Sequence, residues 1–329
     1  MRKSLESLRQ QFSTLDSKRV LLWGDSILDT YQWTGAERVS PEAPVLVCRL
    51  ESESYVPGGA ANVAANIASL GGTLSFMSQT GDDSQAETLV SLLKERGVDI
   101  DGVYACANRR SIVKTRIMAN RQQMLRVDQE DILPATSTCT QHWLRCMQDK
   151  KDEFGLAIIS DYKKGCTDGP FIRDYIQAAK EWGLPVIVDP KGSDFAKYSG
   201  ADLITPNMSE FLSVSQADPN SESSILEEGV KLLNTYSIEN LVLTRSEKGI
   251  SVIQRNGEKV DIPTQKRDVI DVTGAGDTVM AALGLGLICG LDLIDAATFA
   301  NHAAAVVIQK IGTATATLDE VLAEYGSHE

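Results

Sequence analysis

Near the C-terminal end, Asp271-Val272-Thr273-Gly274-Ala275-Gly276-Asp277 runs straight into an apolar stretch from Thr278 to Leu291. Small residues at Gly274, Ala275 and Gly276 let the backbone approach a ligand closely. The helix that follows would point free N–H groups and its positive dipole end at an anion. A carboxylate next to a bound phosphate is repelled by it, so Asp277 makes chemical sense as a base that takes a proton from an attacking hydroxyl. The same aspartate reads equally well as the N-cap of a helix entered through a flexible turn. Taken alone, the seven residues leave these two readings even.

Five further groups are placed where chemistry could be done. Gly58 and Gly59 precede an Ala-rich helical pattern in which Asn62 is an amide within an apolar run. Such an amide must find partners, and polyol hydroxyls supply them, although a tight turn into a core helix explains the glycines. Asp25 and Asp29 follow a first apolar run at the edge where open α/β sheets hold ligands. No G-x-G-x-x-G follows that run, which argues against a dinucleotide fingerprint and leaves the carboxylates to accept sugar hydroxyls or to be solvated. Asn207-Met208-Ser209-Glu210 has the spacing of a capping box and equally that of a pair holding hydrated Mg²⁺. Ser160 to Gly165 and Val188 to Gly192, which contains Asp189 and Lys191, mix carboxylates with lysines at strand ends. Lys114, Arg116, Arg121 and Arg126 form a basic set in an acidic chain. They read as cations guarding an edge strand, or as forks for a substrate phosphate.

Composition narrows the classes. With 329 residues, 43% apolar content and a formal charge of −13, the chain can build a large core and lacks the net basic face that nucleic acids and acidic membranes require. Six cysteines without a C-x-x-C pair and three dispersed histidines suggest neither a zinc site nor a disulfide framework. The segment Met1 to Lys18 has no apolar h-region, and no apolar run is long enough to span a bilayer, so a soluble cytoplasmic protein is expected. Leu5, Leu8 and Phe12 predict a short amphipathic helix laid on the body.

The elements that must position these groups follow from periodicity. Apolar runs at 19–23, 74–78, 156–160, 185–188, 202–205 and 241–244 alternate with helical patterns at 60–70, 85–96, 138–151, 171–182 and 223–236. That alternation predicts right-handed crossovers and a mainly parallel sheet covered on both faces. Two excursions, at about 31–55 and 103–127, carry strand-like stretches with no helix between them. They predict a separate small β-sheet acting as a lid, which excludes water from a transfer reaction and offers a face for self-association.

In chain order these pieces resemble the ribokinase-like PfkB family of carbohydrate kinases over essentially the whole length from Arg19. Gly58-Gly59-x-x-Asn62 is similar to its first signature, Asn207-x-x-Glu210 to its magnesium-associated motif, and Asp271 to Asp277 to its second signature. Within the family, Arg38 to Val45 (R-V-S-P-E-A-P-V), S-D-Y-K-K-G, V-D-P-K-G, T-P-N-x-x-E and T-R-S-E-K-G resemble the kinases of D-glycero-β-D-manno-heptose 7-phosphate. Val39 and Leu46 depart from that pattern without touching the chemistry.

The resemblance implies a three-layer α/β/α sandwich with a β-sheet lid, an extension over 1–18, a kinase domain over 19–329, and a homodimer formed through the lid. It implies Asp277 as catalytic base, with Gly274, Ala275 and Gly276 as the anion hole. Asn207, Met208, Ser209 and Glu210 would serve ATP and Mg²⁺, with Thr244, Ser246 and Gly249 along the nucleotide and Asn301 near the adenine. Asp25, Asp29, Gly58, Gly59 and Asn62 match sugar-binding positions. Lys114, Arg116, Asp189 and Lys191 are assigned to the sugar-phosphate end, and Asp271 with Thr273 to a monovalent cation such as K⁺. The implied reaction makes a heptose 1,7-bisphosphate on the way to ADP-heptose for lipopolysaccharide core. Many relatives carry a fused nucleotidyltransferase domain, whose activity is expected to reside elsewhere. The rival readings are a kinase of the same family acting on fructose 6-phosphate, ribose or a nucleoside, and a non-catalytic sugar or nucleotide sensor.

Overall fold

A computed structural model describes residues 3–15, 18–120, 122–264 and 268–327. In chain order its elements are α1 (Leu5–Phe12), β1 (Arg19–Gly24), β2 (Ser26–Val39), β3 (Leu46–Gly59), α2 (Ala60–Ser69), β4 (Leu74–Gly81), α3 (Ser84–Lys94) and β5 (Asp99–Cys106). There follow β6 (Val113–Ala119), β7 (Gln122–Gln129), α4 (Ser137–Asp149), β8 (Phe154–Ser160), α5 (Phe171–Glu181), β9 (Val186–Asp189), β10 (Leu203–Ile204), α6 (Met208–Val214) and α7 (Glu222–Tyr236). The chain closes with β11 (Asn240–Thr244), β12 (Ile250–Gln254), β13 (Lys259–Ile262), α8 (Ala275–Ile288), α9 (Leu293–Val307) and α10 (Leu318–Gly326).

Among the described residues the main sheet has nine strands in the order β13-β12-β11-β10-β9-β8-β1-β4-β5. It is parallel from β5 to β11, and the hairpin strands β12 and β13 extend it antiparallel. Successive residues of one strand enter different cores. Val20 and Leu22 of β1 join a cluster with α1, α2, α8, α9 and α10, while Leu21 and Trp23 join one with α4, α5 and α7. Leu156 and Ile158 of β8 face the first cluster, and Ala157 and Ile159 the second. This two-sided burial explains why these strands read as continuous apolar runs rather than alternating ones.

The predicted N-terminal helix forms and buries Leu8 and Phe12, with the Phe12 ring 4.4 Å from that of Phe299. Residues before Lys18 therefore contribute to the core.

The second sheet has the order β3-β2-β6-β7. Its boundaries differ from the expected excursions. Residues 99–106 are the parallel edge strand of the main sheet, and the lid's second part begins at Val113. The first part is longer than 31–55, because β2 and β3 pair from Ser26 with Gly59 out to Val39 with Leu46. Asp29, Gly58 and Gly59 consequently lie within lid strands, at the root where the lid meets the main sheet.

Candidate active site

The parallel strands end on one side of the molecule, and their exits bring Asp25, Asp161, Asp189, Asn207 and Thr244 to a common edge. Helix α8 begins there. Gly274 is its N-cap with φ of 80°, so Asp277 sits in the first turn and is not the cap. Glycine is needed at that position for two reasons. The left-handed backbone disfavours side chains, and a Cβ would stand 2.7 Å from Asn62 Nδ2.

Asp277 is buried and held by two donors. Asn62 Nδ2 donates to Oδ2 at 2.7 Å and the Tyr162 hydroxyl to Oδ1 at 2.5 Å. Behind Asn62, Asn66 donates to its carbonyl and side-chain oxygens at 2.9 and 3.1 Å, and Thr278 donates to Asn66 Oδ1 at 2.9 Å. Burial pushes the Asp277 carboxyl up from 3.8 to about 6, against the lowering effect of these two hydrogen bonds. A group poised near 6 is ionised at neutral pH yet basic enough to accept a proton. A carboxylate has about four acceptor positions, so the two bonds leave room for an attacking hydroxyl.

Within the expected Gly274 to Gly276 loop the backbone N–H groups differ in whether they are already engaged. The Ala275 N–H closes a turn on the Val272 carbonyl at 3.2 Å, whereas the Gly276 and Asp277 N–H groups have no acceptor among the described residues. Nothing lies within 4 Å of where a Gly276 Cβ would be, so that helix mouth is open to a ligand.

On the lid side, Asp29 is buried and accepts from Arg116 Nη1 at 2.7 Å and from Thr313 Oγ1 at 3.0 Å. Gly58 faces it closely, since a Cβ there would meet Asp29 Oδ2 at 2.7 Å. Arg116 also lies over the Tyr31 ring, 5.3 Å from its centroid. Lys114 and Arg116 alternate on β6, opposite Asp128 and Arg126 of β7, so cations from both strands share one lid face. Arg126 pairs with Asp128, and Lys164 with Glu130 at 2.6 Å, while Lys114 makes no ion pair among the described residues. Burial and the nearby Arg126 lower the Lys114 ammonium. Arg121 lies outside the described residues.

On the other side, Asn207 and Glu210 form a full capping box at the start of α6, with both reciprocal bonds at 2.9 Å. They border a cleft shared with Tyr162, Asp189, Lys191, Thr244 and Gly276. Met208 packs partly into the second core, and Ser209 lines the outer rim. Burial drives the Asp189 carboxyl well up, and Glu210 and Asp277 add to the effect. Ser246 and Gly249 follow β11 with positive φ, and a Gly249 Cβ would meet the Ile262 carbonyl at 2.1 Å. Asn301 is buried and donates to the Pro263 carbonyl at 2.8 Å, which ties α9 to the strand exit after β13.

These contacts show how the residues singled out in the sequence are held. Lys191 pairs with Glu210 at 2.6 Å and lies on the Asn207 and Glu210 side rather than with the lid cations Lys114 and Arg116. Asn62 turns its amide onto Asp277 and Asn66. Asp25 accepts the backbone N–H groups of Tyr162, Lys164 and Cys166 at 2.8, 3.1 and 2.8 Å, so its carboxylate is turned to the loop after β8. Arg116 has an internal carboxylate partner. Asp271 accepts from Thr273 N and Oγ1 and from Gly312 N, which staples its loop to the 312 turn. Tyr162 was not assigned any role from sequence. Its only signal was its place after a strand end, where a hydroxyl's direction is invisible.

A family model described as the pfkB family carbohydrate kinase matches residues 18–320. The chain belongs to this family. Among curated relatives of this pfkB member, bifunctional protein HldE of Geobacter metallireducens is 41% identical over 325 residues, covering 99% of this chain and 66% of the relative. HldE of Shewanella amazonensis is 42% identical over 315 residues, covering 95% of this chain and 65% of the relative. The pfkB chain thus spans about two thirds of the length of such relatives. Arabidopsis thaliana ribokinase, solved with ribose and ATP, superposes with a TM-score of 0.74 at 18% identity over 94% of this chain and 98% of that one. Phosphofructokinase-2 from Escherichia coli, solved with potassium, gives 0.75 at 19% identity, covering 94% and 99%. These likenesses establish the ribokinase-like fold of this carbohydrate kinase.

Proposed function

We propose that this pfkB kinase transfers the γ-phosphoryl group of ATP to the anomeric hydroxyl of D-glycero-β-D-manno-heptose 7-phosphate, giving the 1,7-bisphosphate and ADP. The observation that carries the reading is Asp277, a buried carboxylate at an open helix mouth between a lid bearing Lys114 and Arg116 and a cleft bordered by Asn207 and Glu210. The heptose-kinase motifs, Arg38 to Val45 among them, support the choice of sugar.

Asp277 takes the proton of the attacking hydroxyl, a contribution of about 10²- to 10⁴-fold for a positioned base. The Gly276 and Asp277 N–H groups receive developing negative charge on the transferring group. Lys114, with Arg116 and Arg126 beside it, meets the substrate's own phosphate. The lid covers the reacting groups and keeps water from accepting the phosphoryl group.

The residues present fit Mg²⁺ held through water. Asn207 and Glu210 already satisfy each other, and Mg²⁺ keeps several waters and needs few protein ligands. When bound with ATP it neutralises phosphate charge. The exposed apolar residues of the outer lid strands, including Leu46, Leu50, Leu125 and Val127, suit a homodimer formed through the lid.

An ADP-release assay on heptose 7-phosphate, fructose 6-phosphate and ribose tests the reading. The heptose is expected to lead in kcat/KM by about 10²-fold, the scale of discrimination that a few pocket contacts provide. Equal turnover of fructose 6-phosphate would remove the assignment.

A further inference from the structure

Two donors from different elements fix the plane of the Asp277 carboxylate. Asn62 comes from α2 and Tyr162 from the loop after β8, while Asp277 itself rides on α8. Tyr162 stays a donor across the working range, because burial and the adjacent Asp277 push its phenol well above its ordinary value. The loop that carries Tyr162 is pinned in turn. Buried Asp25 collects three of its backbone N–H groups, and Asp161 accepts the Lys163 N–H at 2.6 Å and the Tyr198 hydroxyl at 2.5 Å.

We infer that Tyr162 is a positioning residue for the Asp277 base, with Asp25 as the anchor that sets where the Tyr162 hydroxyl stands. The inference rests on reading Asp277 as the base of the kinase reaction. A carboxylate free to rotate presents its lone pairs to the attacking hydroxyl only part of the time. Clamping both oxygens leaves one orientation, and misplacement by about 1 Å costs about 10²-fold in rate. The Tyr162 bond also lowers the basicity that burial raises. The charged groups facing Asp277 are Asp29 from the lid root, and Lys191 and Asp189 from the sheet edge.

The test compares wild type with Tyr162→Phe, which keeps the ring and removes the donor, and with Asp25→Asn as a second variant. In Tyr162→Phe, kcat is expected to fall about 10- to 100-fold. KM for both substrates is expected to stay within about twofold, and the acid limb of the pH profile to move up by about one unit. Asp25→Asn is expected to show the same kcat loss in milder form. Unchanged kcat and an unmoved limb in Tyr162→Phe would overturn the inference, as would a loss carried in the KM for the sugar, which would make Tyr162 a substrate contact. Titration of the Asp277 carboxyl by ¹³C NMR, assigned with Asp277→Asn, decides the matter even if wild type phosphorylates none of the sugars. A midpoint that rises in Tyr162→Phe supports the clamp, and one that does not move rejects it. Inactivity of wild type would count against the kinase reading alone.

Discussion

At the scale of single residues, Asp277 carries the strongest expectations. Asp277→Asn should lower kcat by about 10²-fold or more while the Kd for ATP stays within a few-fold, because the amide keeps the shape and loses the base. Equilibrium ATP binding beside turnover measurements checks this, and surviving turnover would show the wrong base. The native carboxyl near 6 lies above its ordinary 3.8, so the folded state holds this proton more tightly than the unfolded chain does. Its contribution to stability is present below about pH 4 and is lost as pH rises through 6. Relative to wild type, the Tm of Asp277→Asn should therefore improve between pH 4 and 7. A difference that stays flat with pH would contradict the raised value. Gly274→Ala should cost about 1 kcal/mol or more from its positive φ and crowd Asn62, which denaturant midpoints will show.

At the scale of elements, the lid strands place cations that are not equivalent. Arg116 and Asp29 form a largely buried pair at 2.7 Å, and removing one partner of such a pair costs about 3–5 kcal/mol. Arg116→Ala should thus lower Tm as well as weaken sugar binding. Lys114→Ala should leave Tm near wild type and raise the KM for the sugar phosphate about tenfold, with the KM for ATP unchanged, since it removes one phosphate contact. Equal rises in both KM values would end its assignment. The sequence marked both cations, but the Asp29 contact depends on β2 and β6 lying in register, Asp29 beside Lys114 and Tyr31 beside Arg116. That pairing brings together residues 87 apart in the chain.

At the scale of the whole molecule, the outer lid strands leave Leu125 and Val127 about half exposed, at 55% and 51%. They sit two residues apart on β7 and so share one face, which in a homodimer would be covered by a second copy. Replacing both with lysine should shift the sedimenting mass from dimer to monomer without unfolding the main sheet. A wild type that sediments as a monomer would remove the lid dimer. Among the described residues no helix is long and apolar enough to cross a membrane.

The sequence by itself determined the doubly covered parallel sheet, because strands buried on both faces are written as unbroken apolar runs and their helices as 3.6-residue patterns. It also marked the candidate positions for chemistry, since the glycines at 58, 59, 274 and 276 and the polar groups at strand exits are local signals. It misplaced the start of the second lid excursion, because edge strand β5 and a lid strand have the same half-exposed pattern and differ only in their partners. Tertiary structure alone decided the pairings. Tyr162 and Asn62 meet Asp277 across 115 and 215 residues, Asp25 reaches the loop after β8, and Lys191 turns to Glu210 rather than to the lid. Periodicity reports which face of an element is buried, whereas the direction of a hydroxyl or an ammonium is settled only when distant elements pack and each buried polar group must find its partner.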